Sequence, residues 1–70
     1  MAKLESGSDD YYKFSEKADK IYRKHSYART REEREKWEQK AEDLIDFMRE
    51  KYGYDDNVEW IINNYYLDRL

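Results

Sequence analysis

The residues that could support chemistry in this chain of 70 residues are few and widely separated. His25 is the only histidine, and there is no cysteine. A helical metal site needs a second ligand three or four residues away, but positions 21, 22, 28 and 29 hold Ile, Tyr, Ala and Arg. We therefore expect no metal site, and we expect His25 to be partly buried and hydrogen-bonded.

Catalysis lacks the residues that it needs. Glu42 and Asp46 are carboxylates spaced by four residues, but they fall on the predicted outer face of a helix, where no cleft can separate their pKa values. Ser15 and Ser26 have one histidine between them as a base, and neither glycine lies in a glycine-rich phosphate loop. The sequence predicts no enzyme, and it assigns no catalytic, metal or cofactor-binding residue.

Residues 20–31 form the only locally cationic segment and are the candidate contact for a polyanion. Residues 1–36 contain ten Lys/Arg and eight Asp/Glu (+2), and residues 37–70 contain four and nine (−5). The basic residues of the segment are Lys20, Arg23, Lys24, Arg29 and Arg31. They alternate with tyrosines, as in single-stranded nucleic-acid platforms, but cations near a helix end also favour the helix dipole. We expect weak nucleic-acid binding at most, because the net charge is −3.

Helix caps indicate how the chain is divided, since proline is absent. The cap signals are Ser8, Thr30 with Glu33, Asp56 with Glu59, and Gly53 as the residue after a helix. They predict helices near residues 9–27, 31–52 and 57–69.

Apolar residues at a period of 3.6 predict that one face of each helix is buried. The predicted core consists of Tyr11, Phe14, Ala18, Ile21, Tyr22, His25, Trp37, Ala41, Leu44, Ile45, Met48, Tyr52, Val58, Ile61, Ile62 and Tyr65. Short loops favour antiparallel neighbours, so we expect an all-α, up-down-up three-helix bundle over residues 1–70. A short N-terminal segment containing Leu4 can pack on it. A chain this small buries only about 60% of its surface, so no deep pocket is expected.

Three apolar residues do not fit these stripes. Trp60 and Leu67 project from the opposite side of the third predicted helix, and Phe47 lies off the middle stripe. A groove between two helices or the N-terminal segment could cover them, and single exposed apolar side chains are common. The functional alternative is a protein interface formed by Trp60, Tyr66, Leu67 and Phe47, with a homodimer or another protein as partner. We expect Trp60 and Leu67 to serve the fold or a self-contact.

The regular capping, the absence of Pro and Cys and the run "REEREKWEQKAEDLIDFMREK" resemble a computationally designed helical bundle over residues 30–59. No natural family is resembled. The departures from design practice are Asn57, Asn63, Asn64, His25 and eight tyrosines.

The resemblance implies a stable, non-catalytic scaffold without evolved activity, cofactor or required partner. The alternative is a small natural protein, for example viral, that binds or inhibits another protein through a Trp/Tyr-rich face. No apolar run approaches the ~18 residues of a membrane span, and "MAKLESGSDD" lacks the apolar centre of a signal peptide. We expect a water-soluble protein, and its compartment is undetermined.

Overall fold

The computed structural model describes residues 3–70, which form three α-helices and a terminal 3₁₀ turn. The elements are α1 (Asp9–Ser26), α2 (Arg31–Tyr52), α3 (Asp56–Asn64) and the 3₁₀ turn (Leu67–Arg69). No strand occurs within these described residues, so the predicted all-α fold is confirmed. None of the helices found in residues 3–70 has the length and apolar character needed to cross a membrane.

Short polar side chains determine where α1 and α2 begin. The hydroxyl of Ser8 accepts a hydrogen bond from the N–H of Tyr11 at 3.2 Å. The hydroxyl of Thr30 accepts one from the N–H of Glu33 at 3.1 Å. Each bond satisfies a backbone donor that has no partner within the first helical turn. The predicted starts of these two helices are confirmed.

The connection from α2 to α3 depends on one glycine and one aspartate. Gly53 has φ +69° and ψ −150°, which an L side chain rarely adopts, and its N–H donates to the C=O of Arg49 at 2.7 Å. The predicted cap of α3 was wrong by one residue. Asp55, and not Asp56, caps the helix, because its carboxylate accepts the N–H of Asn57 at 2.9 Å.

Contacts between side chains establish that α1 and α2 are antiparallel. The rings of Phe14 and Phe47 have centroids 5.9 Å apart near one end of the pair. At the other end, Nε2 of His25 lies 2.9 Å from a carboxylate oxygen of Glu38. From the Phe14–Phe47 contact to the His25–Glu38 contact, residue numbers rise in α1 and fall in α2. This confirms the first half of the up-down-up topology.

The third helix lies beside both long helices. Trp60 stacks on Tyr11 with ring centroids 6.1 Å apart, and Tyr66 lies 6.0 Å from Tyr22. The chain from Trp60 to Tyr66 therefore runs in the same direction as α1 and opposite to α2. This arrangement confirms the up-down-up bundle.

The core contains residues from every helix and from both terminal segments. Its buried apolar side chains are Leu4, Phe14, Ala18, Ile21, Ala41, Leu44, Ile45, Met48, Val58, Ile61, Ile62 and Leu67. Leu4 is fully buried, and its C=O accepts a hydrogen bond from the Asn57 side chain at 2.7 Å. Leu4 therefore packs on the bundle, as the sequence allowed; residues 1–2 of the same segment lie outside the described residues.

Some aromatic residues of the predicted core are less buried than the stripes indicate. Tyr22 is exposed, and the four others lie at the edge of the core, partly buried: Tyr11, Trp37, Tyr52 and Tyr65. A thin core has little interior volume for rings, so these rings lie at its edge.

The prediction that the third helix extends to residue 69 was wrong. α3 ends at Asn64, and Tyr66 adopts a left-handed conformation with φ +57°. This conformation costs roughly 1–2 kcal/mol for a residue with a side chain. It turns Leu67 inward to 4% exposure, and burying a leucine contributes about 1.5–3 kcal/mol. Burial therefore offsets the backbone cost, and Leu67 does not share a face with Trp60.

The core assignment predicts a large loss of stability for Leu44→Ala. Leu44 is 7% exposed, so truncation should lower the free energy of unfolding by about 2–5 kcal/mol. Denaturant unfolding measures this loss. Glu42→Ala, at an exposed site on the same helix, is the control and should change stability by less than about 0.5 kcal/mol. Equal effects of the two substitutions would contradict the assignment.

A second substitution should stabilise the protein. The hydroxyl oxygen of Ser15 is buried and has no hydrogen-bond partner among the described residues. Ser15→Ala removes this unsatisfied group and improves helix propensity, so the free energy of unfolding should rise by about 1 kcal/mol. Thermal unfolding of Ser15→Ala and of the exposed control Ser26→Ala separates the two causes. An equal gain in both variants would leave propensity as the whole explanation.

Candidate functional site

A groove between α1 and α2 is open to solvent and is lined largely by apolar surface. Ile21 and Leu44 form its floor, and Trp37 and Phe47 stand at its two ends. Its volume is about 350 Å³, and α3 contributes nothing to its lining. Phe47 is 53% exposed. We call this feature the α1/α2 groove.

The spacing of residues on α2 explains why the groove is apolar along its length. Trp37, Leu44 and Phe47 follow one another at intervals of seven and three residues, which places them along one side of the helix. The rise from Trp37 to Phe47 is about 15 Å, or nearly three turns. Phe47 is held at one end by its edge-to-face contact with Phe14.

Lysines line both sides of the α1/α2 groove. Lys17 and Lys20 extend from α1 and Lys40 from α2, while Asp43 is the one acid in the lining. Among the described residues, none of these three lysines pairs with a carboxylate. The groove is therefore locally cationic in a chain of net charge −3.

The Trp37 ring is already in contact with cations. The ammonium groups of Lys36 and Lys40 lie 5.3 and 5.6 Å from its centroid. Cation–π contacts at such distances hold the lysine side chains along the ring. The tryptophan therefore presents an apolar edge with positive charge beside it.

The structure distributes the predicted interface residues over different surfaces. Phe47 lines the α1/α2 groove, whereas Trp60 stacks on Tyr11 where α3 lies beside α1. Tyr66 is 46% exposed, and Leu67 is buried in the core. The four residues do not form one continuous patch. The expectation that Leu67 belongs to the fold agrees with its burial.

The predicted polyanion contact is also divided. Arg23 pairs with Asp19 and Arg31 with Glu35, each at 3.1 Å. Lys20 instead lines the α1/α2 groove. Lys24 and Arg29 are exposed near the tip between the two helices. These ion pairs reduce the positive charge that the tip can offer to a phosphate backbone.

His25 has the environment predicted for it. It is partly buried, and its Nε2 lies 2.9 Å from Glu38. Within residues 3–70, no group of three His, Cys, Asp or Glu side chains is arranged to hold a metal ion. Glu42 and Asp46 are both exposed, as the sequence predicts. The expectation that they lie on an open outer face was wrong, because both line a depression between α2 and the 3₁₀ turn.

One helical turn beyond Phe47, three polar side chains join the two long helices. The carboxylate of Asp10 accepts hydrogen bonds from the Lys51 ammonium at 2.6 Å and from the Tyr52 hydroxyl. The bond from Lys51, then that from Tyr52, holds the pKa of Asp10 below its ordinary value of 3.8. The bonds to Asp10 raise the pKa of Lys51 above 10.5 and that of Tyr52 above 10.0. We call this cluster the Asp10 clasp.

Comparisons with protein-family models, curated proteins and solved structures found no match to this chain. We therefore infer its function from the chemistry of its surface.

Sequence reasoning missed the α1/α2 groove as a unit. Trp37 was assigned to the core and Lys20 to a polyanion site, while Lys17 and Lys40 had no assigned role. One usable signal was present. Phe47 lies off the core stripe of α2 on the same side as Lys40, which marks an apolar residue beside a cation outside the core.

The Asp10 clasp predicts a pH-dependent difference between the parent and Asp10→Asn. Folding lowers the pKa of Asp10, so its stabilising contribution is present above pH 3.8 and is lost as pH falls through the lowered pKa. Folding raises the pKa of Tyr52, so that contribution is present below pH 10.0 and is lost as pH rises through the raised pKa. The parent should therefore be the more stable protein between these limits, with the difference shrinking outside them.

Chemical denaturation at a series of pH values measures this difference. Asp9→Asn is the control, because Asp9 lies in the same helical turn and is exposed. A difference between parent and Asp10→Asn that stays constant from about pH 2 to pH 7 would contradict the clasp.

Proposed function

We propose that this chain is a non-catalytic protein-binding module, and that its binding surface is the α1/α2 groove. One observation carries the proposal: among the described residues, an open apolar groove ends in two aromatic side chains and has on both sides lysines that make no salt bridge. The partner is a polypeptide that supplies apolar side chains to the floor and acidic side chains to the lysines.

The residue types of the groove support a polypeptide partner. Large aromatic side chains carry much of the binding energy at protein interfaces, and Trp37 and Phe47 offer such anchors. The floor residues Ile21 and Leu44 are aliphatic and suit aliphatic side chains. Lysines at the rim favour an acidic partner and speed its association more than they add affinity.

A nucleic acid fits this surface less well. Base stacking needs open aromatic faces, but the side chains of Lys36 and Lys40 lie over Trp37. The aliphatic floor offers no stacking surface between the two aromatic ends.

A second candidate is a designed scaffold that has no partner. Its support is the regular local order of the chain: a capped start on each helix, and exposed pairs four residues apart such as Arg31–Glu35 and Gln39–Asp43. Such pairs contribute only about 0.2–0.5 kcal/mol each and need no ligand. The two candidates differ in whether the groove selects a partner.

Selection from a random peptide library displayed on phage separates the two candidates. We expect the immobilised protein to enrich peptides that bind the parent and lose at least about tenfold in affinity for Phe47→Ala, because this variant removes one aromatic end. Tyr12→Ala, an exposed aromatic site on α1 outside the groove lining, is the matched control and should bind as the parent does.

Thermal unfolding of each variant confirms that it is folded before binding is compared. Enriched peptides that bind Phe47→Ala as well as the parent, but fail on Trp60→Ala, would move the site to the surface where α3 meets α1. A library that yields no specific binder would favour the scaffold.

A further inference from the structure

We infer that the occupant of the α1/α2 groove is an amphipathic α-helix whose apolar stripe is flanked on both sides by acidic residues. This inference rests on the proposed function and specifies the partner. It follows from the shape of the groove, the positions of its lysines and the way the protein fills the corresponding groove on its other side.

The shape of the groove suits a helix. Two antiparallel helices enclose a straight channel parallel to their axes, and a further helix packs into such a channel in a bundle. The apolar stretch from Trp37 to Phe47 is about 15 Å long, which matches apolar residues at i, i+3 or i+4, and i+7 on a partner helix.

The protein itself contains an example of this packing. α3 lies beside α1 and α2 and buries Val58, Ile61 and Ile62 against them, at spacings of three and four residues. The α1/α2 groove is lined by the same two helices without any contribution from α3. It is therefore a second helix-accepting channel that is not filled by the described residues.

The lysines specify the charge of the partner and where that charge lies. The contacts Phe14–Phe47 and His25–Glu38 fix the register of the two helices. Positions 17 and 20 of α1 therefore lie between the levels of the two aromatic ends. Lys40 stands on the opposite side, where the one acid, Asp43, accepts a hydrogen bond from the Gln39 side chain, so a bound helix meets a cation on each flank of its apolar stripe.

A synthetic peptide of about 15 residues, long enough to cover the groove, tests this inference. It carries leucines at helical spacing with glutamates on both flanks. Two controls are the same peptide with lysine in place of glutamate, and a rearrangement of the acidic peptide that destroys the helical stripe. Trp60→Phe leaves Trp37 as the only tryptophan, so its fluorescence reports on the groove.

We expect the acidic helical peptide to bind at least about tenfold more tightly than either control. The lysine peptide places like charges against the lysines of the groove, which opposes binding. The rearranged peptide has no continuous apolar stripe to lie on the floor of the groove. Its affinity should fall with added salt, its helical circular dichroism should increase on binding, and the Trp37 emission should shift. Lys17→Glu/Lys20→Glu/Lys40→Glu should reverse the preference in favour of the lysine peptide.

A matched variant separates the groove from the effect of net charge. Lys3→Glu/Lys13→Glu/Lys24→Glu has the same total charge as the groove variant, but its substitutions lie at exposed sites outside the groove lining. It should retain the preference for the acidic peptide. Equal binding of acidic and basic peptides, or reversal by both variants, would overturn the inference.

Other occupants give different results. A single-stranded oligonucleotide that binds more tightly than the acidic peptide, and loses binding in Phe47→Ala, would overturn a peptide occupant. Self-association of the parent that disappears in Phe47→Ala, measured by sedimentation, would replace the peptide with a second copy. Library peptides that bind the groove but are basic or non-helical would overturn this inference and leave the proposed function standing.

Discussion

The rest of the structure depends on one constraint: α3 is too short to cover the two long helices. Its 9 residues rise about 13 Å, whereas the 22 residues of α2 rise about 33 Å. Leu4 and Leu67 enter from the two ends of the chain and complete the core that α3 leaves unfinished. No comparable element covers the outer side of α1 and α2 within residues 3–70, and that side forms the α1/α2 groove.

The two flanks of α2 differ in charge. One flank faces the groove with its lysines. The other carries Glu38, Glu42 and Asp46, which line a second depression together with Asp68 of the 3₁₀ turn. The net charge of −3 therefore describes neither flank. A charged molecule near either flank would respond mainly to the charges within about 10 Å, because longer-range interactions are screened at ordinary salt concentrations.

The sequence was informative where the determining interactions are local. Caps such as Ser8 and Thr30 act within one helical turn, and the apolar period indicates which side of a helix is buried. The end of α3 was not predictable in this way, since the left-handed Tyr66 is stabilised by the burial of Leu67 in a distant core. To predict the groove, one must know which side of the α1–α2 pair is covered by α3. The helical period of α2 identifies Phe47 as off the stripe, but it does not contain that information.

The short loop between α1 and α2 has a consequence for the order in which the protein opens. Only residues 27–30 separate the two long helices, so their contacts close with little loss of chain entropy and can form early in folding. α3 and the 3₁₀ turn are joined to this hairpin at one end only, and α3 is less than half as long as α2. Amide hydrogens of the C-terminal third should therefore exchange with solvent through partial openings that leave the hairpin intact. Such an opening would uncover the side of the hairpin that α3 covers, and so would expose a second channel opposite the α1/α2 groove.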